Sequence, residues 1–149
     1  MASFQFRLDP LLRLREHEER TARQRLEEIE GQARQLRARL DGVQADIRTG
    51  QQSLRDSMHG AVDLHAFRTE AAAGLRQVYD AQRIALQIAA LQPALDAARR
   101  ELAAATQRRR ILERLRERRL DAWRRDESRK DDDHLDDLVN TWSNLRKAG

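Results

Sequence analysis

Fourteen positions in the first third of the chain succeed one another at steps of four and three. They are Leu8, Leu12, Arg15, Glu19, Ala22, Leu26, Ile29, Ala33, Leu36, Leu40, Val43, Ile47, Gly50 and Leu54. That alternation averages 3.5 residues, so a slightly underwound α-helix carries all of these side chains along one seam. A helix with a single apolar stripe cannot bury it alone. The sequence therefore predicts an all-α coiled coil whose work is to hold or move other proteins.

A second ladder runs through Ala81, Ile84, Ile88, Leu91, Leu95, Ala98, Leu102, Ala105, Arg109, Leu112, Arg116, Arg119 and Trp123. Between the ladders, residues 57–63 break the pattern, with Gly60 as the natural turn point. Asp9-Pro10 reads as a helix start with Asp9 as cap, and Asp63 as the cap of the second helix. The expected organisation is one coiled-coil domain over residues 1–149. Helix one covers about 9–56 and the turn about 57–63. Helix two covers about 64–130 with a bend near Pro93, and a helical or frayed tail occupies about 131–149. The apolar set Leu135, Leu138, Val139, Trp142 and Leu145 suggests that helix continues or resumes in that tail.

A tight turn at Gly60 makes the helices antiparallel, so facing residues have numbers that add to about 120. Roughly 50 paired residues at about 1.5 Å each give a rod of ~75 Å. In this register nothing in helix one faces residues beyond Arg116, and the C-terminal segment projects past the N-terminus. Toward the turn the seam reads as apolar, with Leu36, Leu40, Val43 and Ile47 against Leu75, Val78, Ile84 and Ile88. Toward the termini it becomes charged, with Arg15 and Glu19 against Arg109, Arg116 and Arg119. Ion pairing across the seam with fraying accounts for the charge; completion of that end by a partner is the alternative.

Composition narrows the function. Charged residues make up 36% of the chain and aromatic residues 4%, with two prolines and six glycines, which suits long helices and leaves few cavities for chemistry. Cysteine is absent, so disulfides and thiolate metal sites are excluded. There is no phosphate-cradling glycine loop. His17, His59, His65 and His134 lack ligand spacing, and Asp131-Asp132-Asp133-His134 lacks the glycine and distal glutamate of a calcium loop. No enzyme activity, cofactor or metal is expected. No apolar run approaches the ~20 residues of a membrane span, and the opening residues lack a signal-peptide layout. A cytoplasmic protein without direct membrane insertion is expected. From Arg99 to Lys130, thirteen basic residues stand against six acidic ones. That stretch admits a nucleic-acid-binding or basic scaffold reading, but Glu113, Glu117 and Asp121 favour pairing along the helix instead, so no nucleic-acid partner is expected.

Two segments carry a family resemblance. The opening Phe4-Gln5-Phe6-Arg7-Leu8-Asp9-Pro10-Leu11-Leu12-Arg13-Leu14-Arg15-Glu16, with Glu18-Glu19, resembles the N-terminal signature of the flagellar FliJ family. Ala98-Arg99-Arg100-Glu101-Leu102, then Arg109 to Arg119 and finally Leu135-Asp136-Asp137-Leu138, is similar to that family's C-terminal helix. The resemblance implies an antiparallel helical hairpin like the γ stalk of rotary ATP synthases, acting in flagellar type III export. It implies that the end bearing both termini enters the hexameric ring of the export ATPase and promotes its assembly and activity. It also implies contact with the cytoplasmic region of the export gate, escort of export chaperones, and peripheral association with the inner-membrane apparatus at the flagellar base.

Carried over by position, the ATPase-facing candidates are Phe6, Arg7, Leu8, Leu11, Leu12, Arg13 and Arg15, with Arg114, Arg118, Arg119 and Trp123 from helix two. Among the leucines, Leu8 and Leu12 read as seam residues, and Leu11 as the surface residue. The gate-facing candidates are Phe67, Ala71, Leu75 and Val78, with Leu75 and Val78 also read as packing on helix one. The stalk of a virulence-type secretion system is an alternative that differs by partner.

Overall fold

The computed structural model describes residues 3–147, with side chains as far as Trp142. Helix α1 spans Asp9–Ser57 and helix α2 spans Leu64–Lys147. They pack against each other as a helical hairpin, with no strand among the described residues. Gly60 turns the chain with a φ of 102°, where a side chain would be strained. Asp63 caps α2: its Oδ1 accepts the backbone N–H groups of His65 at 2.9 Å and Ala66 at 3.3 Å. Its carbonyl accepts Phe67 N–H at 3.0 Å, which starts the helical ladder.

The start of α1 differs from the sequence reading. Leu12 N–H bonds the Leu8 carbonyl at 2.9 Å, so Leu8 holds the cap position and Asp9 is already helical. A turn explains the shift, since Asp9 N–H is taken by the Phe6 carbonyl at 3.0 Å. The Asp9 carboxylate instead pairs with Arg116 at 3.4 Å, at the positive end of the α1 dipole. Helix α2 passes through Pro93, and Ala89, whose carbonyl loses its usual donor there, is exposed to water.

The chain divides into two compact units, one of Met1–Glu19 with Ala104–Gly149 and one of Arg20–Ala103. In the unit Arg20–Ala103, Ala22, Ala33, Ile84, Leu95 and Ala98 are buried. Arg25–Glu101 and Arg99–Glu30 bridge the helices at 3.7 and 3.6 Å, and Ser53 donates to Glu70 at 3.1 Å. Between residues 34 and 83 nothing is buried. Leu36, Leu40, Val43, Ile47 and Leu54 are half-buried, but Leu75 and Val78 are exposed, contrary to their expected packing on helix one. The cause is phase. Counting back from Ile84 by threes and fours, the half-buried positions are Ala81, Gln77, Gly74 and Phe67. Leu75 and Val78 each stand one residue past the seam, which is continued by a glycine and a glutamine.

In the terminal unit Phe6, Leu12, Ala105 and Leu112 are buried, together with Glu19. The register is offset from the simple sum: Glu19 meets Thr106 and Arg109 rather than Glu101. Helical side chains lean toward the N-terminus of their own helix, so in an antiparallel pair each partner is found further along the sequence than its Cα level. Long arginine stems add to the displacement.

A second correction follows from the segment before α1. Residues 3–8 are not helical, and they lie beside α2 as far as Asp126. Extended chain advances about 3.3 Å per residue against about 1.5 Å in a helix. A few N-terminal residues thus accompany twice as many of α2, and the stretch past Arg116 has a partner. Residues 128–142 are all exposed. The Leu145 side chain lies outside the described residues.

Candidate functional site

The terminal unit holds both a buried polar cluster and an open groove. Glu19 accepts hydrogen bonds from Thr106 Oγ1 at 2.9 Å and from Arg109 Nε, while Arg109 Nη1 donates to Glu113. The hydrogen bond to Glu19, followed by that to Glu113, raises the Arg109 pKa further above its ordinary value. The guanidinium is therefore charged wherever the fold exists. No buried side-chain nitrogen or oxygen among the described residues lacks a partner. A buried carboxylate held in this way favours one register, because a slip would cost it the cross-seam bonds to Thr106 and Arg109.

Beyond this cluster, Phe4 tilts against Trp123 with ring centroids 6.0 Å apart and planes at 51°. The two rings help line a groove of about 870 Å³ with Phe6, Leu8, Leu115 and Arg119. The groove exists because the non-helical N-terminal strap cannot fill the width of a helix. Its rings and leucines stand beside polar and charged lining residues, Ser3, Gln5, Arg7, Arg119 and Asp126.

Of the residues the sequence nominated, Phe6, Arg7, Leu8, Arg119 and Trp123 come together here. Leu12 is buried in the seam. Leu8 and Leu11 exchange their expected places: Leu8 is 36% exposed, and Leu11 is half-buried. Leu8 precedes the first helical turn, so the seam geometry does not yet hold its side chain against α2. Arg15 is half-buried and occupied by Glu18, at 2.8 Å. Arg13, Arg114 and Arg118 are exposed and do not line the groove. Sequence reasoning missed Phe4, whose pairing with Trp123 needed the strap, and missed the Glu19–Thr106–Arg109 cluster, for which the charge at two ladder positions was the available signal.

In the other unit, Ala71, Leu75 and Val78 line a smaller groove of about 460 Å³ with Ile47, Gly50 and Leu54. Phe67 is half-buried and does not line it. Leu75 is 57% exposed. Among the described residues no group of three His, Cys, Asp or Glu side chains is placed to hold a metal ion. No described helix is long and apolar enough to cross a membrane.

A family model described as the flagellar FliJ protein matches residues 4–147. No curated protein and no solved structure matches the chain.

Proposed function

The chain belongs to the FliJ family and is a component of the flagellar export apparatus, and on that premise we propose that its terminal unit is the end that engages the export ATPase. In this reading the protein acts without catalysis, as a stalk inside the hexameric ring that favours the assembled, active enzyme. The groove at Phe4, Phe6, Leu8, Arg119 and Trp123 supports it most, because rings and leucines beside charged residues suit an intruding loop. The buried Glu19 cluster keeps the helices in register so that this edge is presented as one piece. Arg7, Arg13, Arg114 and Arg118 supply exposed charge for ring subunits, while Phe6, Leu12 and Arg15 serve by holding the scaffold.

The exposed Ala71, Leu75 and Val78 are the proposed contact with the export gate, with Phe67 beside them. Escort of export chaperones and residence at the cytoplasmic face of the flagellar base complete the proposal. The test is a paired charge reversal, Arg7→Glu with Arg118→Glu. Helicity is expected to stay unchanged while stimulation of the ATPase is lost. Full stimulation by the folded variant would remove the end assignment.

A further inference from the structure

Four leucine-type side chains of the terminal unit make an apolar flank that the hairpin itself does not cover. Leu11, Leu14, Ile111 and Leu115 each immediately precede a seam residue, namely Leu12, Arg15, Leu112 and Arg116. A residue one before the seam is rotated about 100° from it. Because the helices run antiparallel, this rotation carries the residues of both to the same side of the pair. The pairing of Asp9 with Arg116 and of Glu19 with Arg109 sets Leu11 level with Leu115, and Leu14 level with Ile111. Leu14 is 49% and Ile111 58% exposed, and Leu11 and Leu115 are half-buried. Arg108 and Arg118 also precede seam residues and bound the flank, Arg108 at the end where Glu18 precedes Glu19, while Arg7 lines the groove that Leu115 borders; among the described residues none of the three arginines forms an ion pair. The flank is thus an apolar centre with a basic end at Arg118 and a mixed end at Glu18 and Arg108.

The complementary shape is present in the same chain. Residues 131–142 of α2 contain five aspartates and no lysine or arginine. Leu135, Leu138, Val139 and Trp142 fall on one helical stripe, all exposed, Trp142 at 74%. Asp131 and Asp132 lie one turn ahead of that stripe, so the segment reads as acid, then apolar at steps of three and four. A helix of this design laid along the flank sets its leucines and tryptophan over Leu11, Leu14, Ile111 and Leu115, and its aspartates at the Arg118 end. It cannot fold back onto the flank of its own chain, because the single helix α2 runs unbroken from Ile111 and Leu115 through residues 131–142.

We propose that the acidic segment 131–142 of one copy docks on the Leu11–Leu14–Ile111–Leu115 flank of a second copy, so that the protein associates with itself through its terminal units. The interaction is a helix-in-groove contact steered by charge. It needs neither the export ATPase nor the gate.

The absence of cysteine from the chain gives a direct test. Leu14→Cys protein is mixed with Val139→Cys protein under oxidising conditions, and Thr49→Cys replaces Leu14→Cys in the control. A disulfide-linked dimer is expected from the first mixture at several times the yield of the control. Sedimentation velocity of the full chain is expected to show mass rising above 17.3 kDa with concentration. Raising salt from about 0.1 M to about 1 M shortens the screening length from about 10 Å to about 3 Å, and is expected to weaken the association about tenfold. Leu138→Glu, at a position 59% exposed, is expected to abolish it without loss of helicity. A monomer at all concentrations, with crosslinking no greater than in the control, overturns the proposal, as does association that Leu138→Glu leaves intact.

Discussion

The two units of the hairpin use the same ladder to different ends. In the terminal unit the seam contains a buried carboxylate held by a threonine and an arginine, and rings and leucines beside it remain partly open. In the other unit the buried seam is alanine, leucine and isoleucine over residues 22–33 and 84–98, and toward the turn it thins to glycine and glutamine. Apolar contacts tolerate sliding, whereas a buried ion pair does not. Register is therefore specified at the terminal unit, while the turn-proximal stretch is held by loop closure and surface bonds such as Ser53 to Glu70. A two-helix pair has only one covered side, so burial is confined to single seam positions such as Ala22, Ala33, Ile84, Leu95 and Ala98.

Breaking this contrast begins with Arg109→Ala. It takes from the buried Glu19 its charged partner across the seam, and is expected to cost about 3 kcal/mol by denaturant unfolding. The double variant Glu19→Leu/Arg109→Leu is expected to recover that stability or exceed it, while loosening the register. The pKa of Arg109 is raised, so its contribution is present below the ordinary guanidinium value and lost only at more alkaline pH than the folded value. The contribution of the Arg109 charge is thus expected to be constant when wild type and Arg109→Ala are compared from about pH 6 to about pH 9. Ile84→Ala, at the largest fully buried side chain, is expected to cost about 2–3 kcal/mol. Ile84→Ala is expected to keep the register of the helices, and a register shift in that variant would erase the proposed difference between a specified and a permissive seam.

Smaller effects sharpen the comparison. Phe4→Ala removes the ring against Trp123 and is expected to cost about 1 kcal/mol, with a red shift in tryptophan emission as Trp123 meets water. Leu75→Ala, at an exposed position, is expected to change stability by less than about 0.5 kcal/mol. If Leu75 contacts the export gate, gate binding falls while the melting curve stays in place.

The hairpin was legible because period and breakers agree: a 3.5-residue repeat, a glycine at a positive φ, and Asp63 ready to cap. What the sequence concealed was phase and reach. Leu75 and Val78 are more hydrophobic than Gly74 and Gln77, yet the helical repeat counted from Ile84 keeps the latter pair at the seam. The offset from a sum of about 120 required the lean of side chains along each helix. Ahead of Leu8 the strap carries no repeat, so its reach along α2 and the meeting of Phe4 with Trp123 could not be read from spacing. At the candidate site, Phe6, Arg7, Leu8, Arg119 and Trp123 were nominated from the family resemblance. The half-burial of Leu11 and the exposure of Leu8 depend on where the first helical hydrogen bond forms.

The most direct measurement is the turnover and ring assembly of the cognate flagellar export ATPase, with and without this protein at equal stoichiometry. The account predicts that both rise, and that Arg7→Glu with Arg118→Glu cancels the rise. Unchanged turnover and assembly in the presence of the folded, helical protein would contradict it.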